Sequence, residues 1–318
     1  MNVVLIMPTG LGLELGGHAG DGNPVAKLLA STCDNLITHP NVVNASDINE
    51  MTDNTLYVEG SMLDRFLEGE IELQKVKSNK VLVVFNSPIK DENVNAVNAA
   101  RATIGLDAEI LTLSTPLQMI AKIVDGKATG DVVGWEALIK QVKKYDFDAL
   151  AISTPITVEK EIAVQYLEKD MGVNPWGGVE AVLSKLVGKA LNKPVAHAPI
   201  EAEWVEKDAY TPPVVDPRKA AEVVSTCYIH CVLKGLHKAP RIGKGLSYRD
   251  IDVMVSPDNC WGRAHEACNK KSEIPIIAVR NSNYLEAAGI LLAMKEGISL
   301  ESLRRPLKSV RIHNENKK

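Results

Sequence analysis

Val3-Val4-Leu5-Ile6-Met7 runs into Pro8-Thr9-Gly10-Leu11-Gly12-Leu13-Glu14-Leu15-Gly16-Gly17-His18-Ala19-Gly20-Asp21-Gly22, and then into Asn23-Pro24-Val25-Ala26-Lys27-Leu28-Leu29. The first run is apolar without alternation, as a strand buried on both faces of a parallel sheet is. The last run is a helical pattern opened by Asn-Pro, since Pro suits the first helical position. Between them six glycines, Gly10 to Gly22, let the main chain take φ > 0 and approach a ligand closely. A glycine-rich loop from strand to helix is where α/β proteins bind anions.

The same alternation continues along the chain. Further strands are predicted near 35–38, 55–58, 81–85, 109–113, 149–152, 194–197, 252–255 and 274–279. Helices are predicted near 25–32, 93–104, 116–124, 135–145, 158–169, 179–191, 217–236, 262–269 and 284–295. Strands alternating with helices of this length predict an α/β protein with a largely parallel or mixed central sheet. Asn86-Ser87-Pro88, Ser114-Thr115-Pro116, Ser153-Thr154-Pro155 and Ser256-Pro257 each follow an apolar run, and read as capped helix starts at the carboxyl edge of that sheet. The polar turn Asp125–Asp131 suggests two lobes, 1–130 and 131–305, with a polar, basic tail at 306–318 that frays.

Composition narrows the function classes. The 318 residues carry a net charge of −4 and only 3 Phe, 7 Tyr and 4 Trp. That gives no electrostatic attraction to nucleic acid or anionic membranes, and few platforms for stacking bases. No apolar run is long enough for a membrane span, and Met1-Asn2-Val3 lacks the basic start of a signal peptide. Five cysteines without framework spacing read as reduced cytoplasmic thiols. A homodimer is the default assembly.

The loop does not match the nucleotide fingerprints. Gly10-x-Gly12 is followed by Gly16, one residue late for G-x-G-x-x-G, and no G-K-[ST] follows. Within it, His18 and Asp21 lie three positions apart, a spacing at which a carboxylate can orient an imidazole as a general base. Gly16, Gly17 and Gly20 offer backbone N–H groups. Polar residues recur at later strand ends: His39 and Asn44 after the second, Ser61 after the third, then Ser87 and Thr154. His39, His197 and Glu201 are the candidate metal ligands, an N/O set that suits zinc, manganese or iron, although no local H-x-x-x-H spacing exists. In Asp258-Asn259-Cys260-Trp261-Gly262-Arg263-Ala264-His265-Glu266, a helix start can lower the thiol pKa of Cys260, with His265 as its proton carrier. Arg263 and Arg280 are the candidate anion clamps. Cys227 and Cys231 share one face of a helical pattern and read as core residues.

Met7-Pro8-Thr9-Gly10, Gly16 to Ala30 and Thr38-His39-Pro40-Asn41-Val42-Val43-Asn44-Ala45-Ser46-Asp47-Ile48-Asn49 together resemble a bacterial domain-of-unknown-function family over most of the chain. The resemblance implies membership and brings no activity. The residues themselves point to an enzyme, a hydrolase, lyase or isomerase, acting on a small anionic metabolite by acid–base or metal-assisted chemistry. Two alternatives stand beside it: a non-catalytic metabolite-binding or regulatory protein, and a cysteine-dependent enzyme built on Cys260.

Overall fold

The computed structural model describes residues 1–7, 22–40, 51–169, 171–200, 213–215, 228–258, 261–281, 283–303 and 310–313. The chain divides into two compact units. The first comprises 1–75 and 242–318, and the second is the intervening 76–241. The boundaries therefore fall at 75/76 and 241/242, away from the 130/131 division read from the polar turn. That turn is the tip of a hairpin within the second unit, with Asp125 and Gly126 both at positive φ (50° and 74°).

The first unit holds six strands: β1 (Asn2–Leu5), β2 (Asn35–Thr38), β3 (Thr55–Tyr57), β12 (Val253–Pro257), β13 (Ile276–Val279) and β14 (Val310–His313). They lie in the order β14-β13-β12-β1-β2-β3, all parallel except β14. Successive strand residues face opposite sides. Val4, Ile37, Met254 and Ile276 face a core closed by α2 (Gly60–Leu67) and α8 (Arg263–Ala267). The other face, with Val3, Leu5 and Val255, is covered by α1 (Asn23–Ala30) and α9 (Tyr284–Lys295). Of the predicted tail 306–318 only 310–313 lies within the described residues, where Val310–His313 adds β14 antiparallel to β13, giving the open edge of that strand a backbone partner. A short pair, β4 (Leu73–Gln74) with β11 (Arg241–Ile242), completes the strands at the chain crossing.

In the second unit β5 (Lys80–Asn86), β6 (Asp107–Leu113), β9 (Ala149–Thr157) and β10 (Val195–Ile200) run parallel in the order β6-β5-β9-β10. Val81, Val83 and Phe85 pack under α3 (Asp91–Ile104) and α7 (Tyr228–Lys238), while Leu82, Val84, Leu150 and Ile152 pack under α4 (Trp135–Val142) and α6 (Pro175–Leu191). α5 (Lys160–Leu167) connects β9 to α6. The predicted helix at 116–124 is instead β7 (Gln118–Val124), paired antiparallel with β8 (Lys127–Val133). Met119 and Ala121 alternate inward, and α6 lies close over the hairpin because Gly178 carries no side chain: a Cβ there would sit 2.4 Å from the Ala128 carbonyl carbon.

The Ser/Thr-Pro junctions also differ from their reading as caps. Ser153-Thr154-Pro155 lies inside β9, Ser256-Pro257 ends β12, and Ser114-Thr115-Pro116 leads into a strand. Where a helix follows a junction, the residue at its N-cap is another one: Lys90 for α3, Glu159 for the helix after β9 and Gly262 for α8. No helix among the described residues is long and apolar enough to cross a membrane.

Both chain ends of the second unit are tied to one side chain. The buried Asn79 amide donates to the Leu236 and Ala239 carbonyls, each at 2.8 Å, and its own N–H donates to the His237 carbonyl at 2.9 Å. These bonds satisfy the last carbonyls of α7, which a helix end otherwise leaves open. Arg241 Nε donates to Asn79 Oδ1 (2.9 Å) and its Nη2 to Asp148 (2.6 Å), which also accepts the Lys80 N–H. Asn79→Ala orphans buried acceptors and is expected to destabilise the protein by at least about 2 kcal/mol. Asn79→Asp, which keeps an acceptor for Arg241 and loses the two donors, does so as well. Urea unfolding checks both; a native midpoint for N79D would show that the donors carry nothing.

Candidate functional site

While Ser87, Thr154 and His197 belong to the second unit, the carboxyl edge of the first unit's sheet gathers His39, Ser61, Arg263, His265 and Arg280 of the predicted site. Strand order reverses there: β1, β2 and β3 build outward one way, and β12 and β13 the other, so β1 and β12 are neighbours that the chain leaves in opposite directions. Open α/β sheets bind ligands outside the strand ends at such a reversal. β1 ends toward Met7, and α1 starts after Gly22 with no side-chain cap and no acidic residue in its first turn. Its first N–H groups thus retain the positive end of the helix dipole.

His39, just past β2, is 8% exposed, and its Nε2 accepts the Met7 N–H at 3.1 Å. That bond leaves the proton on Nδ1. Burial, reinforced by nearby His265, pushes the His39 pKa down to about 4, so the ring is neutral at pH 7. His265 is similarly held neutral: burial takes it down to about 4, against the opposing Gly262 N–H bond. Its Nδ1 accepts that N–H (3.1 Å), capping α8, so its Nε2 proton goes to Ser256 Oγ at 2.7 Å. His265 therefore spends both nitrogens within the protein, which leaves it no lone pair with which to activate Cys260.

The two arginines differ. Arg263, at the start of α8, is gripped by Glu68 through Nε (2.8 Å) and Nη2 (3.0 Å), with Asp64 at 3.8 Å. It binds α2 to α8. Arg280, just past β13, donates through Nε to Asp258 at 2.5 Å, and the Asp258 N–H donates to the Val279 carbonyl. Ser61 lies in the first turn of α2 and is half-buried. His18, Asp21, Gly16, Gly17, Gly20, Asn44, Cys260 and Glu201 lie outside the described residues.

In the second unit, Ser87 is exposed after β5, whereas Thr154 and His197 meet within the sheet. Thr154 Oγ1 lies 2.9 Å from His197 Nε2, and His197 Nδ1 lies 2.9 Å from Glu180 Oε1 on α6. Glu180 accepts only, so Nδ1 carries a proton. Sequence reasoning missed Glu180: a lone acidic residue beside Val179 in an apolar helix carries no local sign of a partner on a strand 17 residues away. Both nitrogens of His197 and Nε2 of His39 are thus committed to protein groups, and the two histidines belong to different units. Among the described residues no cluster of three or more His, Cys, Asp or Glu side chains is arranged to hold a metal ion.

The buried thiols are inert by their surroundings. Burial raises Cys268 to about 12 and Cys33 to about 11, so neither forms a thiolate at neutral pH.

The two neutral histidines set a pH dependence. Their folded pKa values lie below the value near 6.5 of the unfolded chain, so unfolding takes up protons between pH 6.5 and 4. The stability they contribute is complete above pH 6.5 and lost as pH falls toward 4. Urea midpoints are expected to be lower at pH 5.0 than at pH 7.0, with a smaller drop in His265→Gln. Equal midpoints would show that neither ring is held neutral by the fold.

Comparison with known proteins places this chain in a family. Residues 2–283 match the family described as Protein of unknown function (DUF3326). An uncharacterised lipoprotein of Synechococcus sp. is 32% identical over 336 aligned positions, which cover 94% of this chain and 92% of that protein. No solved structure matches. The protein belongs to the DUF3326 family.

Proposed function

We propose that this protein is an enzyme that acts on a small anionic metabolite, a carboxylate or phosphate ester, at the carboxyl edge of the first unit's sheet. One observation carries the reading: strand order reverses between β1 and β12, and the strand ends around that point hold His39, the Asp258–Arg280 pair and the uncapped start of α1. An anion at this edge meets helix N–H groups and a guanidinium, the donors that hold carboxylates and phosphates. Neutral His39 can donate its Nδ1 proton as a hydrogen bond, polarising a carbonyl as neutral imidazoles do. A pKa near 4 makes it a poor general base at neutral pH.

The base in this reading is His18, oriented by Asp21, in the segment that joins Met7 to Gly22. Acid–base hydrolysis, elimination or isomerisation all fit such a set. Metal assistance by zinc, manganese or iron draws less support, because the hydrogen bonds at His39 and His197 occupy lone pairs or protons that a metal would have to displace. A non-catalytic metabolite-binding or regulatory role is the second reading. It is favoured by His265, which is committed on both nitrogens to Ser256 and Gly262.

The cysteines support a cytoplasmic location: Cys33 and Cys268 are buried thiols that form no disulfide among the described residues, as in a reducing compartment. The Synechococcus relative is named a lipoprotein, which makes a lipid-anchored protein the competing placement. Fractionation of cells making the native chain is expected to leave it in the soluble fraction; recovery in a carbonate-washed membrane pellet would reverse the assignment.

Thermal shift against a panel of small carboxylates and phosphates at fixed ionic strength tests the site, with proton NMR following each hit over time. Stabilisation together with conversion is the expected result. Stabilisation by a metabolite recovered unchanged would move the protein to the binding or regulatory reading, and no stabilisation by any anion would end both. His18→Asn is expected to fold normally and to lower turnover by about 10²-fold, the usual size of one acid–base group. Native turnover in that variant would remove His18 from the mechanism.

A further inference from the structure

We infer that Arg280, and not Arg263, is the residue that grips the anionic group of the ligand, through a two-pronged contact from its Nη nitrogens. The inference rests on the anion reading above and assigns its charge partner. Both arginines stand at the carboxyl edge of the same sheet, and both are part-exposed, so position and exposure do not separate them. Their neighbours do.

Arg263 presents Nε and Nη2 to the two oxygens of Glu68, whose carboxylate is only 9% exposed. Asp64 is 3.8 Å away, and Glu70 also acts on the guanidinium. With Arg65 paired to Glu70 at 3.4 Å, two cations among three carboxylates still leave one net negative charge, which repels an incoming anion. Releasing Arg263 would also take from the largely buried Glu68 carboxylate both hydrogen bonds that Arg263 gives it. Arg263 is a structural tie between α2 and α8.

Arg280 is bound differently. Among the described residues Asp258 is its one ion-pair partner, and the contact is through Nε alone. Asp258 follows β12, so the side chain reaches from the end of β13 back across the end of β12. Paired strands are about 4.8 Å apart, so this brings the guanidinium toward β1, which lies about one strand spacing beyond β12. A guanidinium held at Nε keeps its plane fixed while the Nη pair remains as a fork. That fork matches two oxygens of one carboxylate or phosphoryl group. The Asp258 main chain is itself pinned to Val279, so the anchor does not drift. Preorganisation of this kind lowers the entropic cost of holding the ligand. The ligand class that follows is a small molecule with a planar or tetrahedral two-oxygen anionic face. A carboxylate and a phosphoryl group share that chemistry.

Inorganic phosphate and malonate serve as the probes, titrated calorimetrically into the native full chain and its variants at constant ionic strength. Arg280→Gln and Arg280→Lys are both expected to weaken binding at least tenfold, the lysine because an ammonium has no fork. Arg263→Gln is expected to unfold at lower urea and yet bind with native affinity. Whichever of the two probes binds more tightly names the source of the oxygens. Native affinity in a folded R280Q, with the native chain binding either probe, would overturn the assignment and leave the anion site standing. Failure of the native chain to bind either probe would overturn both. Should R280Q not fold, phenylglyoxal labelling of the native protein gives the answer: phosphate or malonate should protect Arg280. Equal labelling with and without a bound probe would sink the assignment.

Discussion

The first unit's sheet requires the two ends of the inserted second unit to be held together, and the buried Asn79 amide is central to that closure. That sheet is assembled from two stretches of chain separated by the whole second unit, and its centre is the contact of β1 with β12. An open insertion of that length would carry a large loop-closure entropy. Asn79 helps to offset it, because the amide that begins the second unit also caps the helix that ends it, and Arg241 links the same amide to Asp148. The inserted unit then behaves as a short connection. The chain re-enters the first unit at β11, which pairs with the departing β4, and Leu73 and Leu246 exchange backbone bonds just beyond it. A polar residue buried at 1% exposure is costly unless every group is used. Here the donors, the acceptor and the main-chain N–H are all engaged.

Closure of the two stretches creates the reversal at β1, and the reversal creates the edge proposed as the site. β1 sits between β2, whose end carries His39, and β12, whose end leads to Asp258. The Met7 N–H has no strand partner at that point and gives its bond to His39 Nε2. One hydrogen bond thus satisfies the orphaned end of the central strand and fixes the tautomer of the ring beside it. Burial of that ring, with His265 nearby, holds its pKa down to about 4.

Much of this was legible in the sequence, for a physical reason. Strands of a parallel sheet are buried on both faces and read as apolar runs, so β1, β2, β5, β9, β12 and β13 stand out against the helices between them. β7 does not. Gln118-Met119-Ile120-Ala121-Lys122-Ile123-Val124 follows a proline and mixes helix and strand formers, and only packing of Met119 and Ala121 under α6 decides it. Asp125-Gly126 was the overlooked signal, because both positions take the positive φ that a tight hairpin needs. The strand-end histidines and Arg280 were legible as candidates, since polar residues after apolar runs fall at the sheet edge. What each one touches was not. Glu68, Asp258 and Glu180 are ordinary acidic residues in the sequence, and their roles come from contacts formed only when distant elements pack.

The chain of Glu180, His197 and Thr154 shows why contact geometry alone does not make a catalytic site. Carboxylate, imidazole and hydroxyl are linked at 2.9 Å each, the connectivity of a nucleophilic triad. In a working triad the hydroxyl faces the substrate and the carboxylate is buried behind it. This one is turned inside out. Thr154 is fully buried in mid-sheet beside Met119, while Glu180 holds the solvent side with its side chain 27% exposed. A substrate carbonyl has no approach to the Thr154 oxygen without parting α6 from β9. The same three groups do explain how a buried threonine and a buried histidine are tolerated on a sheet face otherwise filled by Leu150, Ile152 and Val195. Each polar atom is answered by the next until the last one reaches water, which is the condition for burying them at all. His197 is therefore a link that ties β10 to β9 and α6. His39 ties β2 to β1 with one nitrogen and keeps a proton on the other, and that difference is why the proposed chemistry is assigned to the first unit.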